Sequence, residues 1–225
     1  GVDFIHVSGG NTIKRGSSMP APGTSAAPHA HSSEEIKKHV NIPVATVARI
    51  NEPWMAEELI ANEKCDMCMI GRPNLCDSEF ANKAFEGKVD DIRPCIGCGR
   101  CLTGIMMGKR ISCTVNPSVE DDTIAPAETK KKVLVIGGGP TGMEAAYVAK
   151  KRGHEVVLCE KSNELGGQLR LAAVPIAKQE LCKVIKFMIR RLDHEGVEVR
   201  LNTEVTKEML ENEFKDYEIV CSSGA

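Results

Sequence analysis

The chain has 225 residues, and its 29 basic and 31 acidic side chains leave a net charge of −2, so bulk attraction to nucleic acid is not its mode of binding. Hydrophobic residues at 42 % and charged residues at 27 % are ordinary for folded domains and exclude wholesale disorder and fibrous repeats. No apolar run reaches the roughly 18 residues needed to span a bilayer, and the opening GVDFIHVSGG has no signal or transit pattern. A cytoplasmic protein without a membrane partner is expected, in a fragment that starts within a longer chain.

Residues 1–92 alternate short apolar runs with helical spacing. FIHVS, IPVATV and DMCMIG read as buried strands. SSEEIKKHV and EPWMAEELIANE read as helices, the first with Ser32 or Ser33 as its N-cap. This order implies parallel strands with crossover helices. Residues 11–31, with four prolines or glycines from Pro20 to Pro28, form a long loop of the kind that carries function. His29 and His31 on that loop are expected to be solvated, and His6, inside an apolar strand, to be a core residue.

Residues 93–128 hold Cys95, Cys98, Cys101 and Cys113, a C-x2-C-x2-C-x11-C spacing followed by an acidic, proline-containing linker. Ten cysteines without an export signal argue for metal ligation or buried thiols over a disulfide scaffold. Four thiolates can hold zinc or a [4Fe–4S] cluster. Three closely spaced cysteines and one distant one suit the cluster, because its irons occupy separate corners, and Gly97 and Gly99 let backbone amides face inorganic sulfide. The other six, including Cys65 and Cys68 with their nominal C-x2-C spacing and Cys76, Cys159, Cys182 and Cys221, are taken as small buried residues.

Residues 129–225 open with VLVIGGGPTGMEAAYVAKKRGHEVVLCE, a strand, a glycine-rich turn, a helix and a second strand. Gly137, Gly139 and Gly142 form G-x-G-x-x-G in the context a dinucleotide site requires. Gly137 permits the turn, Gly139 lets a pyrophosphate approach the backbone, and Gly142 lets helix and strand pack closely. Glu160, at the end of the second strand, is placed to accept hydrogen bonds from ribose hydroxyls. VEVRLNTEV and YEIVC complete the pattern as further strands.

Three stretches taken together, DIRPCIGC, ISCTVNP and VLVIGGGPTGMEAA, make the chain resemble the iron–sulfur flavoproteins of the Old Yellow Enzyme class, which include 2,4-dienoyl-CoA reductase, 2-enoate reductase, trimethylamine dehydrogenase and NADH-dependent flavin oxidoreductases of bile-acid 7-dehydroxylating bacteria. The resemblance implies an α/β fold: the C-terminal part of a TIM barrel (1–92) carrying FMN, a [4Fe–4S] segment and linker (93–128), and a truncated Rossmann-like FAD and NAD(P)H domain (129–225). The run Glu164 to Leu169 resembles the L-G-G-Q-L continuation of FAD-binding domains, which adds Gly167 and Gln168 to the cofactor residues. The loops after the last two strands carry Arg49, Gly71 and Arg72, and the resemblance implies that these hold the FMN phosphate.

The implied activity is an NAD(P)H-dependent ene-reductase. Electrons pass from FAD through the [4Fe–4S] cluster to FMN and reduce an activated C=C of a small-molecule unsaturated carbonyl substrate: an enoate, dienoyl-CoA or steroid or bile-acid enone. No catalytic residue is assigned. Thr12 stands where dienoyl-CoA reductases carry a histidine, which favours an enoate or enone over a dienoyl-CoA. The alternatives are an amine dehydrogenase running the relay in reverse and an FAD electron-transfer module with a structural metal site. A homo-oligomer is compatible with all three.

Overall fold

The computed structural model of the chain describes residues 1–10, 20, 22–121 and 123–224; Thr12 lies outside them. The chain divides into two compact units, Gly1–Asp121 and Asp122–Ala225. Both are α/β with wholly parallel sheets. Among the described residues no helix is long and apolar enough to cross a membrane.

The first unit contains β1 (Ile5–Val7), α1 (Ala30–Lys37), β2 (Val44–Val47), α2 (Pro53–Ala61) and β3 (Met67–Met69), with the strands in the order β1-β2-β3. Val44, Ala45 and Thr46 are consecutive and fully buried, as expected of a central parallel strand covered on both faces. Ile50, Leu59 and Cys65 form a core patch with Met55, Ala56 and Ile70 against it. Helix α1 begins earlier than Ser32 or Ser33, with His29 as N-cap and no side-chain cap bond. Ser33 lies in the first turn, where its hydroxyl donates back to the His29 and Ala30 carbonyls at 3.1 and 2.9 Å, so it cannot serve as the cap. His29 is not solvated as expected: a Cβ built on Gly9 would lie 2.3 Å from its ring. His31 is exposed.

After β3 come α3 (Arg72–Cys76), α4 (Phe80–Phe85), a 3-10 turn at Val89–Asp91 and α5 (Arg100–Met106). Buried Asp77 gathers this stretch. Its carboxylate accepts from the Glu79 amide at 3.1 Å, and from Lys83 Nζ and the Arg93 amide at 2.7 Å each. The chain entering the cysteine loop is thereby fixed to the end of α3.

The second unit contains β4 (Lys132–Ile136), α6 (Pro140–Lys151), β5 (Glu155–Cys159), α7 (Gln168–Ala172), α8 (Glu180–His194), β6 (Glu198–Arg200), α9 (Lys207–Glu211) and β7 (Glu218–Cys221), with the strands ordered β6-β5-β4-β7. The extended VEVRLNTEV strand is shorter than expected, ending at Arg200 before Asn202 turns left-handed at φ 51°. Leu134, Val157, Cys159 and Phe214 form a buried cluster. Helix α8 buries Val184, Ile185, Met188, Arg191 and Leu192, the spacing of one helical face. Arg191 ion-pairs with Glu144 and stacks 3.8 Å from the Tyr147 ring centroid. Three cysteines depart from the expectation of burial: Cys68 is half-buried, and Cys182, off the buried face of α8, and Cys221, on edge strand β7, are exposed.

Candidate cofactor sites

Among the described residues, two cavities of the first unit bring the candidate residues together. An open cleft of about 260 Å³ is lined by His6 and Ser8 in and just after β1, residues 47–51 at the end of β2 and beyond it, and Met69, Gly71, Arg72 and Pro73 at the end of β3 and beyond it. These are the C-terminal ends of parallel strands, where ligands gather in α/β folds. His6 therefore faces the cleft and is exposed, contrary to its expected place in the core. Arg49, Gly71 and Arg72 all line this cleft. Ala48 and Arg49 both take left-handed backbone, φ 85° and 49°, a costly geometry for residues with a Cβ that recurs at binding sites. Asn51, 7 % exposed, has an Oδ1 without a hydrogen-bond partner among the described residues. A buried acceptor in a cleft rich in donors is a place for a polar ligand.

A second, narrow cavity is lined by Cys95, Cys98, Cys101 and Cys113 together with Arg72 and Leu75. Among the described residues no three His, Cys, Asp or Glu side chains converge closely enough to hold one metal ion; the four cysteines line one cavity. Gly97 and Gly99 adopt φ 63° and 76°, which bends the loop around that space. Cys113 is held well below the usual thiol value, at about 6. The largest cause is its hydrogen bond to Cys76. Burial acts against this, and the Asn116 and Val115 amides and the Arg93 charge assist it. Cys95 is pushed up to about 11, mainly by burial, with the Gly97 amide and Arg72 pulling the other way. Cys98 is exposed, with Sγ 3.2 Å from Thr114 Oγ1, and Cys101 is buried in α5. A four-thiol donor set, with amide donors already facing two sulfurs, fits a thiolate-ligated group.

Arg72 lines both cavities. Its Nη1 donates to the Pro20 carbonyl at 3.2 Å and to the Gly97 carbonyl at 3.5 Å. Arg49 approaches the same loop, with Nη1 2.8 Å from an ideal Cβ on Gly97. Any side chain at Gly97 would displace Arg49. Sequence reasoning singled out the arginines and the cysteines separately and missed Gly97 as their junction, and it missed Asn51 and Cys76 as well. Asn51 offered one signal, its place two residues after Arg49. Cys76 offered none.

In the second unit Gly137 directly follows β4, which lies between β5 and β7, the switch point at which α/β sheets bind nucleotides. Gly137 has φ 105°. Gly139 is the N-cap of α6, and a Cβ there would meet nothing within 4 Å. A Cβ at Gly142 would lie 1.9 Å from the Gly137 carbonyl oxygen. The second glycine turn docks on the first: the Gly166 amide donates to the Gly138 carbonyl at 2.8 Å, and a Cβ on Gly167 would lie 3.1 Å from Gly139 Cα. Gln168 begins α7 and is exposed. Glu160, 7 % exposed, accepts from the Gly138 amide at 2.6 Å and the Ser162 amide at 2.8 Å. Burial raises its pKa, but the Ser162 and Gly138 amide bonds outweigh it and leave the carboxyl below its ordinary value. Glu160 thus braces the glycine turn, with both carboxylate oxygens taken by backbone amides.

Two family matches fall on either side of the cysteine segment: residues 2–91 match the NADH:flavin oxidoreductase / NADH oxidase family, and residues 132–218 match an FAD dependent oxidoreductase family. The chain is 40 % identical to a bilirubin reductase of Mediterraneibacter gnavus, over 100 % of this chain and 36 % of that protein. It is 39 % identical to a cinnamate reductase of Clostridium sporogenes, over 86 % of this chain and 30 % of that one. A solved structure of 2-naphthoyl-CoA reductase with 2-naphthoyl-CoA superposes with a TM-score of 0.92 at 30 % identity, covering 99 % of this chain and 34 % of that chain. The chain spans about a third of the length of these relatives.

Proposed function

Since the chain belongs to the NADH:flavin oxidoreductase / NADH oxidase family, a family of FMN enzymes, and continues into an FAD dependent oxidoreductase segment, we propose that it is part of an NAD(P)H-dependent ene-reductase. In this reading β1 to β3 are the last strands of a TIM barrel. Arg49, Arg72 and the backbone at Gly71 hold the FMN phosphate. The four cysteines hold a [4Fe–4S] cluster, whose separate corners suit three closely spaced cysteines and one distant one better than a single zinc ion does. Gly137, Gly139, Gly142, Glu160, Gly167 and Gln168 hold FAD. When bound, these groups supply a path for single electrons from NAD(P)H to an activated C=C.

The observation that carries the reading is Arg72 standing in the walls of both cavities of the first unit, so that one side chain would meet the FMN phosphate on one side and the cysteine loop on the other. Its guanidinium supplies charge-assisted donors to phosphate. Arg49, tied to the same loop, supplies the second cation. Relatives named for reduction of bilirubin and cinnamate, at 40 and 39 % identity, stand above a probable N-methylproline demethylase at 33 % and an N,N-dimethylglycine/sarcosine dehydrogenase at 29 %, which places an unsaturated substrate first and an amine second.

In the full-length protein, Arg72→Ala is expected to weaken FMN retention by about ten- to a hundredfold, since a hydrogen bond to a charged group contributes roughly 1.5–3 kcal/mol. Reduction of an enoate by NADH should fall in proportion, while reduction of an artificial dye by NADH, which needs only the FAD half, persists. Undiminished FMN and enoate turnover in this variant would contradict the assignment.

A further inference from the structure

Arg170, Arg191 and Arg200 in the second unit each pair with a carboxylate, of Glu164, Glu144 and Glu198 respectively. Arg72 does not. Among the described residues its partners are two backbone carbonyls, those of Pro20 and Gly97, and both are reached through Nη1. A carbonyl accepts a hydrogen bond without cancelling the unit charge of the guanidinium, so Arg72 remains an uncompensated cation. It is half-buried, which leaves that charge less screened than one at the open surface.

The position of this charge is set by the chain on both sides of it. Arg72 opens α3, and Asp77 at the far end of α3 accepts from the Arg93 amide, which fixes the helix to the segment entering the cysteine loop. Gly97, whose carbonyl Arg72 meets, stands between Cys95 and Cys98. The side chain lines the cavity of the four cysteines as well as the cleft of Arg49 and Gly71. Reduction adds one negative charge to a cluster, and a fixed cation in the wall of its cavity stabilises that state more than the oxidised one; net charge is among the factors that set cluster potentials. A phosphate held by the same guanidinium opposes the effect.

We propose that Arg72 raises the reduction potential of the cluster through its uncompensated charge, and that the FMN phosphate, by pairing with the same guanidinium, lowers it again. This rests on the reading of the cleft as the FMN site and of the four cysteines as cluster ligands. Arg72 then couples the occupancy of one cofactor site to the potential of the other, through charge and without movement of the chain.

The test is an anaerobic EPR-monitored redox titration of the full-length protein, with iron, sulfide and FMN counted per chain, for wild type, Arg72→Gln and Arg72→Lys. Arg72→Gln is expected to release FMN, so the three proteins are compared after FMN has been stripped from each. At the midpoint of stripped wild type, Arg72→Gln is expected to raise the oxidised-to-reduced ratio by roughly three- to tenfold, tenfold being 59 mV for one electron. Arg72→Lys keeps the charge and is expected to stay within about twofold of wild type. A midpoint of Arg72→Gln equal to that of wild type overturns the proposal, as does an equal shift in Arg72→Lys, which would mark a loss of packing and not of charge. A second measurement needs no variant: stripping FMN from wild type is expected to raise its midpoint, and an unchanged midpoint overturns the shared role of the guanidinium. Wild-type protein isolated without iron, or without FMN, would instead overturn the reading of the sites themselves.

Discussion

Replacing Gly142 by alanine is expected to strip FAD from the protein and to destabilise its second unit together, because the new Cβ would lie 1.9 Å from the Gly137 carbonyl oxygen and 2.6 Å from Ser222 Oγ. The carbonyl is backbone at the tightest point of the turn and cannot rotate away. Ser222 is itself engaged, donating through Oγ to the Ile136 and Gly137 carbonyls at 2.9 and 3.1 Å. Relief requires α6 to move off β4, at a cost of roughly 2–4 kcal/mol. Gly139→Ala is the informative partner. Its Cβ meets nothing and its φ of −73° suits any residue, so the fold should lose under about 1 kcal/mol, the order of an N-cap change. The added methyl nevertheless stands where a pyrophosphate approaches the turn. Calorimetry and FAD content of the full-length protein should separate the two: both lost in Gly142→Ala, and FAD alone in Gly139→Ala. Equal behaviour would mean that the turn has only a packing role.

The second large effect is expected at Cys98. Its side chain is exposed and touches Thr114, so Cys98→Ala should barely change folding stability. If Cys98 is a ligand, however, iron retention should fall by roughly two orders of magnitude or more, since groups that merely support metal ligands are already worth 10- to 100-fold. FMN should remain, because Cys98 does not line the cleft of Arg49 and Arg72. Cys182→Ala, an equally exposed cysteine on α8, is the control and should keep all its iron. Iron contents that match in the two variants would remove Cys98 from the ligand set.

Much of this was legible from local pattern. The apolar run Val133 to Ile136, the glycines after it and the helix from Pro140 are specified by residues adjacent in the chain, and the strand, turn and helix form as that pattern dictates. The four clustered cysteines likewise line one cavity. What escaped depends on packing between distant segments. Strand periodicity cannot say which way His6 faces when its neighbours lie across a cleft. Ser33 carries the right chemistry for a cap, but His29 held against Gly9 starts the helix a turn sooner. Arg72 and Gly97 are brought together by the Asp77 network, and Cys76 meets Cys113 only after α3 and the cysteine loop are both placed. In a sequence these are merely an arginine, a glycine and a spare cysteine.

The proposed function requires an FMN site, a cluster and an FAD site in one protein. It is tested most directly by purifying the full-length protein without oxygen and counting iron, sulfide, FMN and FAD per chain. The account predicts about four iron, about four sulfide and one of each flavin. Zinc in place of iron, or FAD without FMN, would contradict it.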